Sequence, residues 1–399
     1  MKEDFLHYQA PTSLYPLGLE VARAEGSYIY DTQGKAYLDL VAGVSACTLG
    51  HCHPKVVKAI QEQAAKYMHV MVYGEYAQSP AVDYCKRLAE NLPAPLETTY
   101  LVNSGTEAIE GSIKLAKRAT GRSQIIAARK AYHGNTQGSL SIMDYELRKQ
   151  PFRPLLPDVA WIEFNNEAEL QKITTRTAGV VLETIQGGAG FITPENDYLA
   201  KVKQRCQEVG ALLILDEIQP GFGRTGKLFG FQNYNVVPDI IAIGKGMASG
   251  LPCGAFVASY DLMHLLADKP KMSHITTFGG NPVVAAASLA TLNELLTTSL
   301  MQETLEKEQL FRKLLKHPKI KSVNGKGLML AAIMESEDLA NHIILYAHQR
   351  GYIFFWLLFE LRAVRISPPL TISKDEIEKA CAIILEAIDC LLYTSDAAD

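Results

Sequence analysis

The 399-residue sequence contains no block of basic residues, and its formal net charge is only −4. A chain without a positive patch has no general electrostatic attraction to nucleic acid or to anionic membranes. The longest apolar run near its end, residues 352–359, is far too short to span a bilayer. We therefore expect neither a nucleic-acid-binding protein nor a membrane protein.

Disulfides, a signal peptide and a metal site are also not expected. The N-terminal residues do not follow the pattern of a signal peptide, and the seven cysteines are odd in number and scattered. This favours free thiols in a reducing compartment, so we expect a cytoplasmic protein. His51 and His53 flank Cys52, but no second ligand pair follows at a spacing typical of zinc sites.

Two apolar runs lead directly into residues that carry reactive groups. Residues 211–215 precede Asp216, and residues 239–243 precede Lys245, which stands between two glycines. Such runs predict strands buried on both faces of a parallel sheet, with ligands beyond their carboxyl ends. Pyridoxal phosphate needs a lysine amine for a Schiff base and an acid that keeps its ring nitrogen protonated. An ordinary buried strand with a capping Asp and a lysine in a loop explains the same residues.

A helix start provides a candidate phosphate site. Residues 98–102 predict a strand, and Ser104 and Glu107 have capping-box spacing at the start of a helix that runs to about Thr120. The backbone N–H groups of such a helix start attract anions, and a glycine allows close approach. A well-capped helix without a ligand is the alternative.

Three further residues follow or interrupt predicted strands. Tyr132 follows the strand at residues 124–128, where its ring could stack on a flat heterocycle or pack at the rim of the core. Glu183 ends the strand at residues 178–183. Arg365 lies in an otherwise apolar strand, so we expect it to pair with a carboxylate, either of a substrate or of an internal salt bridge.

Taken together, these motifs resemble those of the class III aminotransferases, a subgroup of the fold-type I pyridoxal phosphate enzymes. The resemblance covers about residues 15–388. The motifs that carry it are residues 49–54, 104–108, 132–134, 215–219 with 223–226, 244–246 and 276–282, together with Arg365.

The resemblance implies an α/β fold with a mostly parallel central sheet flanked by helices. Residues 46–290 would form the large pyridoxal-phosphate-binding domain. Residues 1–45 and 291–389 would form a smaller α+β domain. We leave residues 390–399 out of the fold, because they resemble a translated sequencing adapter.

The resemblance also implies roles around the cofactor ring. Lys245 would form the Schiff base and then move the proton between the substrate and cofactor carbons. Asp216 would pair with the pyridine nitrogen, and Gln219 would lie at the phenolic oxygen. Tyr132 would stack on the ring, with His133 of the same motif among the cofactor-binding residues.

The phosphate and substrate contacts follow from the same resemblance. Gly105 and Thr106 would bind the phosphate, with Ser104 of the same motif among the cofactor-binding residues. Thr277 of a second subunit would also bind the phosphate, which makes a homodimer the minimal active unit. Glu183 would line the site beside the cofactor. Arg365 would receive the substrate α-carboxylate.

Two positions depart from the acetylornithine and ornithine branches of the family. Asn135 stands where an arginine commonly helps to hold substrate, and Gly188 stands where a glutamate masks the carboxylate-binding arginine in ornithine aminotransferases. Val44, Ser45, Tyr73 and Trp356 are further candidates for shaping the choice of substrate, and the sequence does not rank them.

The function predicted from the sequence is transamination. An amino group would pass from an amine, an ω-amino acid or an amino acid to a 2-oxo acid, 2-oxoglutarate being the expected acceptor. The alternatives are a racemase, an aminomutase or a phospho-lyase of the same family, and a non-catalytic binding protein on this scaffold.

Overall fold

The computed structural model describes residues 1–396, with side chains described as far as Leu391. The strands are β1 Val21–Glu25, β2 Tyr28–Asp31, β3 Ala36–Asp39, β4 Thr98–Val102, β5 Gln124–Ala128, β6 Val159–Ile162, β7 Thr177–Glu183, β8 Leu212–Asp216, β9 Ile240–Gly244, β10 Gly254–Ala258, β11 Ile320–Lys326, β12 Met329–Met334, β13 Tyr352–Ile353 and β14 Ala363–Ile366. The helices are α1 Lys2–Tyr8, α2 Ala42–Ser45, α3 Pro54–Lys66, α4 Ser79–Ala89, α5 Gly105–Thr120, α6 Gln137–Ser141, α7 Glu146–Lys149, α8 Tyr198–Val209, α9 Tyr260–His264, α10 Pro282–Thr297, α11 Leu300–Leu314, α12 Glu337–Gln349 and α13 Lys374–Asp396.

The largest sheet in the described chain has seven strands in the order β4-β10-β9-β8-β7-β5-β6. β6, β5, β7, β8 and β9 pair in parallel, and β10 is antiparallel to both of its neighbours. β7 and β9 are buried along their whole length, and their sequences are accordingly apolar apart from Thr177 and Glu183 at the two ends of β7. The predicted α/β fold with a mostly parallel sheet is confirmed.

Helix α5 packs closely against this sheet because its inward face carries small residues. Ala108 and Ala116 are fully buried. A Cβ atom at Gly111 would lie 2.3 Å from the ring of Phe256 on β10. Any side chain at this position would push the helix away from the sheet, and the start of α5 would move with it.

Two smaller sheets bring the N-terminal and C-terminal segments of the chain together. β1, β2 and β3 form an antiparallel meander, and β13 pairs with β3 in parallel. β11, β12 and β14 form a three-stranded antiparallel sheet. The domain bounds given above remain a prediction.

Local backbone geometry decides where several elements end. Helix α3 ends at Lys66, because Tyr67 has extended dihedral angles. Helix α4 ends at Ala89, shortly before Pro93, and a residue that precedes proline disfavours the helical conformation. Strands β11 and β12 follow each other directly in the chain and pair antiparallel.

Helix α13 continues through Asp396 into the segment that we excluded as an adapter. Residues 397–399 of that segment lie outside the described residues, and its origin remains a prediction. Among the described helices, none alone is long and apolar enough to cross a membrane. Taken together, helices α10 and α11, which meet at a bend of 71°, are long and apolar enough to span a membrane, by length and composition only.

Candidate active site

The register of the large sheet brings the predicted reactive residues to one edge. Glu183 on β7 lies directly opposite Asp216 on β8, and Asp216 lies opposite Ala242 on β9. Lys245 follows two residues after Ile243, at the carboxyl end of β9. The predicted crevice beyond the strand ends is therefore present.

Lys245 is held in a crowded turn. Its φ is 43°, and a Cβ atom at Gly246 would lie 2.2 Å from the Thr48 hydroxyl oxygen. A larger residue after Lys245 would therefore not fit. Burial lowers the pKa of the Lys245 amine to about 8, and the charge of Arg365 lowers it too, against the opposing charges of Asp216 and Glu183.

Asp216 is buried and held by two hydrogen bonds. Its Oδ2 lies 2.8 Å from Nδ1 of His133, and its Oδ1 accepts from the backbone N–H of Ile218 at 3.0 Å. Burial alone would lower the pKa of His133, but the hydrogen bond and charge of Asp216, with the charge of Glu183, raise it above its ordinary value. The carboxylate is thus fixed in position.

Glu183 and Gln219 lie around the same end of the sheet. Glu183 accepts hydrogen bonds from the backbone N–H groups of Tyr132 at 3.2 Å and Gly187 at 3.1 Å. Burial raises the pKa of Glu183 to about 7. The side-chain amide of Gln219 donates to the hydroxyl of Ser45 at 3.4 Å.

The start of α5 offers free donors to an anion. The Ser104 hydroxyl accepts from the Glu107 N–H at 3.3 Å, as the capping spacing predicted, and Glu107 in turn accepts from the N–H of Asn103 at 2.6 Å. The backbone N–H groups of Gly105 and Thr106 have no acceptor among the described residues. This arrangement fits a phosphate group.

Arg365 on β14 is a buried cation without an acidic partner. No carboxylate of a described residue lies within 4.0 Å of its guanidinium, and its Nε has no hydrogen-bond partner. The guanidinium carbon lies 5.9 Å from the ring centre of Phe191. Burial lowers the pKa of Arg365 to about 10, so it remains charged at neutral pH. The internal salt bridge considered above is not found in the described part of the chain.

These groups share one cavity of about 580 Å³. Of the predicted site residues, it is lined by Gly105, Thr106, Tyr132, His133, Glu183, Asp216, Gln219, Lys245 and Arg365. Val44 and Trp356, named above as candidates for substrate choice, also line it, whereas Tyr73 lines a different pocket. An amine, an acid, an aromatic ring and free N–H groups in one cavity fit pyridoxal phosphate.

Sequence reasoning missed several residues that line the cavity, above all Arg148 on α7, Phe355 and Leu358. Two of the predicted residues lie outside it. Ser104 acts as the cap of α5, and Thr277 is exposed on the loop before α10. The predicted role of Thr277 concerns a second subunit and remains a prediction.

The wall at Val44 has an unusual backbone. Ala42, Gly43, Val44 and Ser45 all have φ between 51° and 67°, a left-handed conformation that branched residues such as valine rarely adopt. The side chain of Asp39 stabilises the start of this turn by accepting from the N–H groups at 41 and 42, at 2.8 and 3.0 Å. The turn presents Val44 to the cavity.

Gly188 lies against an aromatic ring rather than open space. A Cβ atom there would lie 2.8 Å from the ring of Phe359. A glutamate at position 188 would therefore have to displace Phe359 before it could reach Arg365. The ring of Phe359 in turn packs edge-on against Tyr145, with ring centres 5.7 Å apart.

The histidines near Cys52 have partners in the structure. Nε2 of His51 lies 2.8 Å from Oδ2 of Asp39, and Nε2 of His53 lies 3.9 Å from Glu294. Hydrogen bonds with Asp39 and Cys47 raise the pKa of His51 to about 10. Within residues 1–396, no group of three or more His, Cys, Asp or Glu residues is arranged to hold a metal ion.

Comparison with known proteins gives a consistent family. Residues 8–388 match the family described as Aminotransferase class-III. An acetylornithine aminotransferase of Caldanaerobacter subterraneus is 36% identical over 382 residues, covering 93% of this chain and 94% of that protein. A putative LysW-aminoadipate semialdehyde/glutamate semialdehyde transaminase of Pyrococcus furiosus is 37% identical over 377 residues, covering 93% and 96%. The crystal structure of an ornithine aminotransferase from Toxoplasma gondii superposes with a TM-score of 0.91 at 27% identity, covering 99% and 96%.

Proposed function

Since this chain belongs to the class III aminotransferases and is a pyridoxal-phosphate-dependent transaminase, we propose that it transfers the terminal amino group of a carboxylate-bearing donor to 2-oxoglutarate. The donor class is an ω-amino acid or a diamino acid whose α-amine is blocked. The acetylornithine aminotransferase named above supports this class, because acetylornithine carries a terminal amine, a blocked α-amine and a free carboxylate. Bound pyridoxal phosphate supplies the electron-withdrawing ring that lets the donor's C–H bond ionise.

The residues at the strand ends divide the work. The amine Nζ of Lys245 would hold the cofactor as a Schiff base, and as a free amine it would accept and return the proton of the donor's C–H bond. Its lowered pKa leaves a usable fraction of the free base near neutral pH. Asp216 would keep the ring nitrogen of the cofactor protonated, and His133 holds the Asp216 carboxylate in place.

One observation carries the choice of a carboxylate-bearing donor: the buried Arg365 shares the cavity with Lys245 and has no carboxylate within 4.0 Å in the described chain. A buried charge without a partner is costly, and a planar guanidinium suits bidentate binding of a carboxylate. The substrate is the missing partner in this proposal. Because position 188 is a glycine, no glutamate at that position covers Arg365, whether the amino donor or the 2-oxo acid is bound.

A panel of matched donors tests the proposal. Purified protein is given 2-oxoglutarate with 4-aminobutyrate or 1-aminobutane, and with N-acetylornithine or ornithine, and glutamate formation is measured. We expect the donors that carry a carboxylate and a single free amine to give the larger kcat/KM. Equal rates with 1-aminobutane and 4-aminobutyrate would contradict a carboxylate-bearing donor.

We also propose a cytoplasmic homodimer in which Thr277 of one subunit contacts the phosphate of the other. The exposed Thr277 lies in the same loop as the exposed apolar residues Ile275 and Phe278, which supports this. In mixtures of Lys245→Ala and Thr277→Ala subunits, a mixed dimer would contain one intact site. Activity above the average of the two parents is therefore expected, and its absence, or a monomer by light scattering, would contradict the proposal.

A further inference from the structure

The short segment around α7 carries several charged side chains, and nearly all of them have partners. The Asp144 carboxylate accepts from the N–H of Lys130 at 2.8 Å, and the Glu146 carboxylate pairs with Arg153 at 2.7 Å. The Lys149 amine lies 4.5 Å from the ring centre of Trp161. In this segment Arg148 stands apart from these pairs.

Arg148 has no hydrogen bond from its guanidinium and no carboxylate within 4.0 Å among the described residues. Its only ring contact there is with Tyr145, at 5.8 Å from the ring centre, which is a weak interaction for an exposed cation. Yet Arg148 lines the same cavity as Lys245 and Arg365. The charge of Arg148 also reaches the Tyr132 phenol, whose pKa burial raises and Arg148 lowers.

The backbone that carries Arg148 is fixed on both sides. Tyr145 packs edge-on against Phe359, and Lys149 is buried over Trp161. A fixed backbone reduces the entropy that a side chain loses when it binds a ligand. The neighbouring Asn135 supplies no charge, and its amide donates to the Tyr132 hydroxyl at 3.2 Å.

The two carboxylates that line the cavity, Asp216 and Glu183, do not form an ion pair with Arg148. Asp216 is bound to His133, and Glu183 accepts two backbone N–H groups deep at the strand ends. Two cations, Arg365 buried and Arg148 exposed, are therefore left to face the substrate from β14 and α7. A substrate with one carboxylate leaves one of them without a partner.

We propose that Arg148 binds a second carboxylate of the substrate and so makes the cavity selective for dicarboxylic substrates. The inference rests on the proposed function, in which Arg365 binds the first carboxylate. An exposed arginine that only interacts with solvent is the competing explanation. The two differ in what they predict for ligands with one and with two carboxylates.

Equilibrium binding to the holoenzyme tests the proposal without turnover. The dissociation constants of glutarate and of pentanoate, which differ by one carboxylate, are measured by calorimetry for the wild type, Arg148→Ala and Arg148→Lys. We expect Arg148→Ala to weaken glutarate about tenfold, as loss of one charge-assisted contact does. The dissociation constant of pentanoate should change by no more than about twofold. For glutarate, the dissociation constant of Arg148→Lys should lie between those of the wild type and the alanine variant.

Arg153→Ala is the matched control, because Arg153 lies on the same segment, pairs with Glu146 and does not line the cavity. This variant should bind glutarate and pentanoate with the same affinities as the wild type. An unchanged affinity for glutarate in Arg148→Ala, or equal losses for glutarate and pentanoate, would overturn the proposal.

Steady-state rates separate this proposal from the proposed function. Arg148→Ala should raise KM for 2-oxoglutarate but not for 2-oxopentanoate, with kcat little changed. If the wild type binds glutarate through Arg148 but forms no glutamate from 2-oxoglutarate, the proposed acceptor is wrong and the second carboxylate site stands. If the wild type turns over 2-oxoglutarate and Arg148→Ala does so with the same KM, the site is wrong and the acceptor stands.

Discussion

The cavity has two regions that are built in different ways. Its floor consists of Glu183, Asp216 and Lys245, which are placed by strand register and shielded from solvent. Its mouth includes Val44, Asn135, Arg148 and Phe355, which lie outside the large sheet and are exposed to solvent. A floor fixed by backbone pairing keeps the chemistry constant, whereas side chains at the mouth can change without moving the sheet. The comparison predicts that floor substitutions act on kcat and mouth substitutions on KM.

The largest effect is expected from Lys245→Ala. The substitution removes both the amine that holds the cofactor and the group that moves the proton, so turnover should fall to background while the fold is kept. Glutamate formation and circular dichroism measure the two outcomes. Lys227→Ala, at an exposed position outside the cavity, is the control. Near-wild-type transamination by Lys245→Ala would show that another lysine is catalytic.

Asp216→Asn is expected to lower kcat by roughly 10²–10³, because a neutral amide does not hold the ring nitrogen protonated. Cofactor affinity should fall much less than the rate. Asp239→Asn is a matched control at the opposite end of the sheet, where the carboxylate accepts from the N–H of Leu213 at 2.8 Å. That variant should lose stability but keep the rate per bound cofactor. A rate for Asp216→Asn within a few-fold of wild type would contradict the role of this acid.

Arg365→Ala should raise KM for 2-oxoglutarate by at least about 30-fold, since truncating a charged bidentate contact costs about 2–5 kcal/mol. The control is Arg362→Ala, whose guanidinium is paired with Glu360 at 2.9 Å on the surface. An unchanged KM in the Arg365 variant would make this arginine structural, and the receptor for the first carboxylate would lie elsewhere in the cavity.

A smaller, graded effect is expected from pH. The Lys245 amine attacks only when neutral, and its pKa is lowered to about 8. The rate at which apoenzyme captures pyridoxal phosphate should therefore rise about tenfold per pH unit below 8 and level off above it. If the pKa of the lysine were unshifted, the capture rate would keep rising until about pH 10. Stopped-flow absorbance measures the profile. In Arg365→Ala the plateau should move to higher pH, because the charge of Arg365 lowers the pKa of Lys245.

The floor could be predicted from the sequence, and most of the mouth could not. Asp216, Glu183 and Lys245 follow long apolar runs, so their place at strand ends follows from local pattern alone. Arg148 lies on the single turn α7 among other charged residues, and its position depends on contacts of Tyr145 with Phe359 and of Lys149 with Trp161, which no local pattern encodes. The contact beside Gly188 could not be predicted for the same reason, because the Phe359 ring that fills this space comes from a distant part of the chain.

The parallel pairing of β3 with β13 constrains the order in which the protein can assemble on the ribosome. The strands of the large sheet have all been synthesised by Ala258, but the partner of β3 begins only at Tyr352. The backbone N–H groups of Leu40 and Ser367 complete this junction by donating to Ile353 at 2.9 Å and to Leu40 at 2.7 Å. A nascent chain that has just exposed Lys245 therefore still lacks the strand that pairs with β3, next to the turn that carries Val44. Protease protection of stalled chains should accordingly appear over the large sheet first and over the first forty residues only near the end of translation.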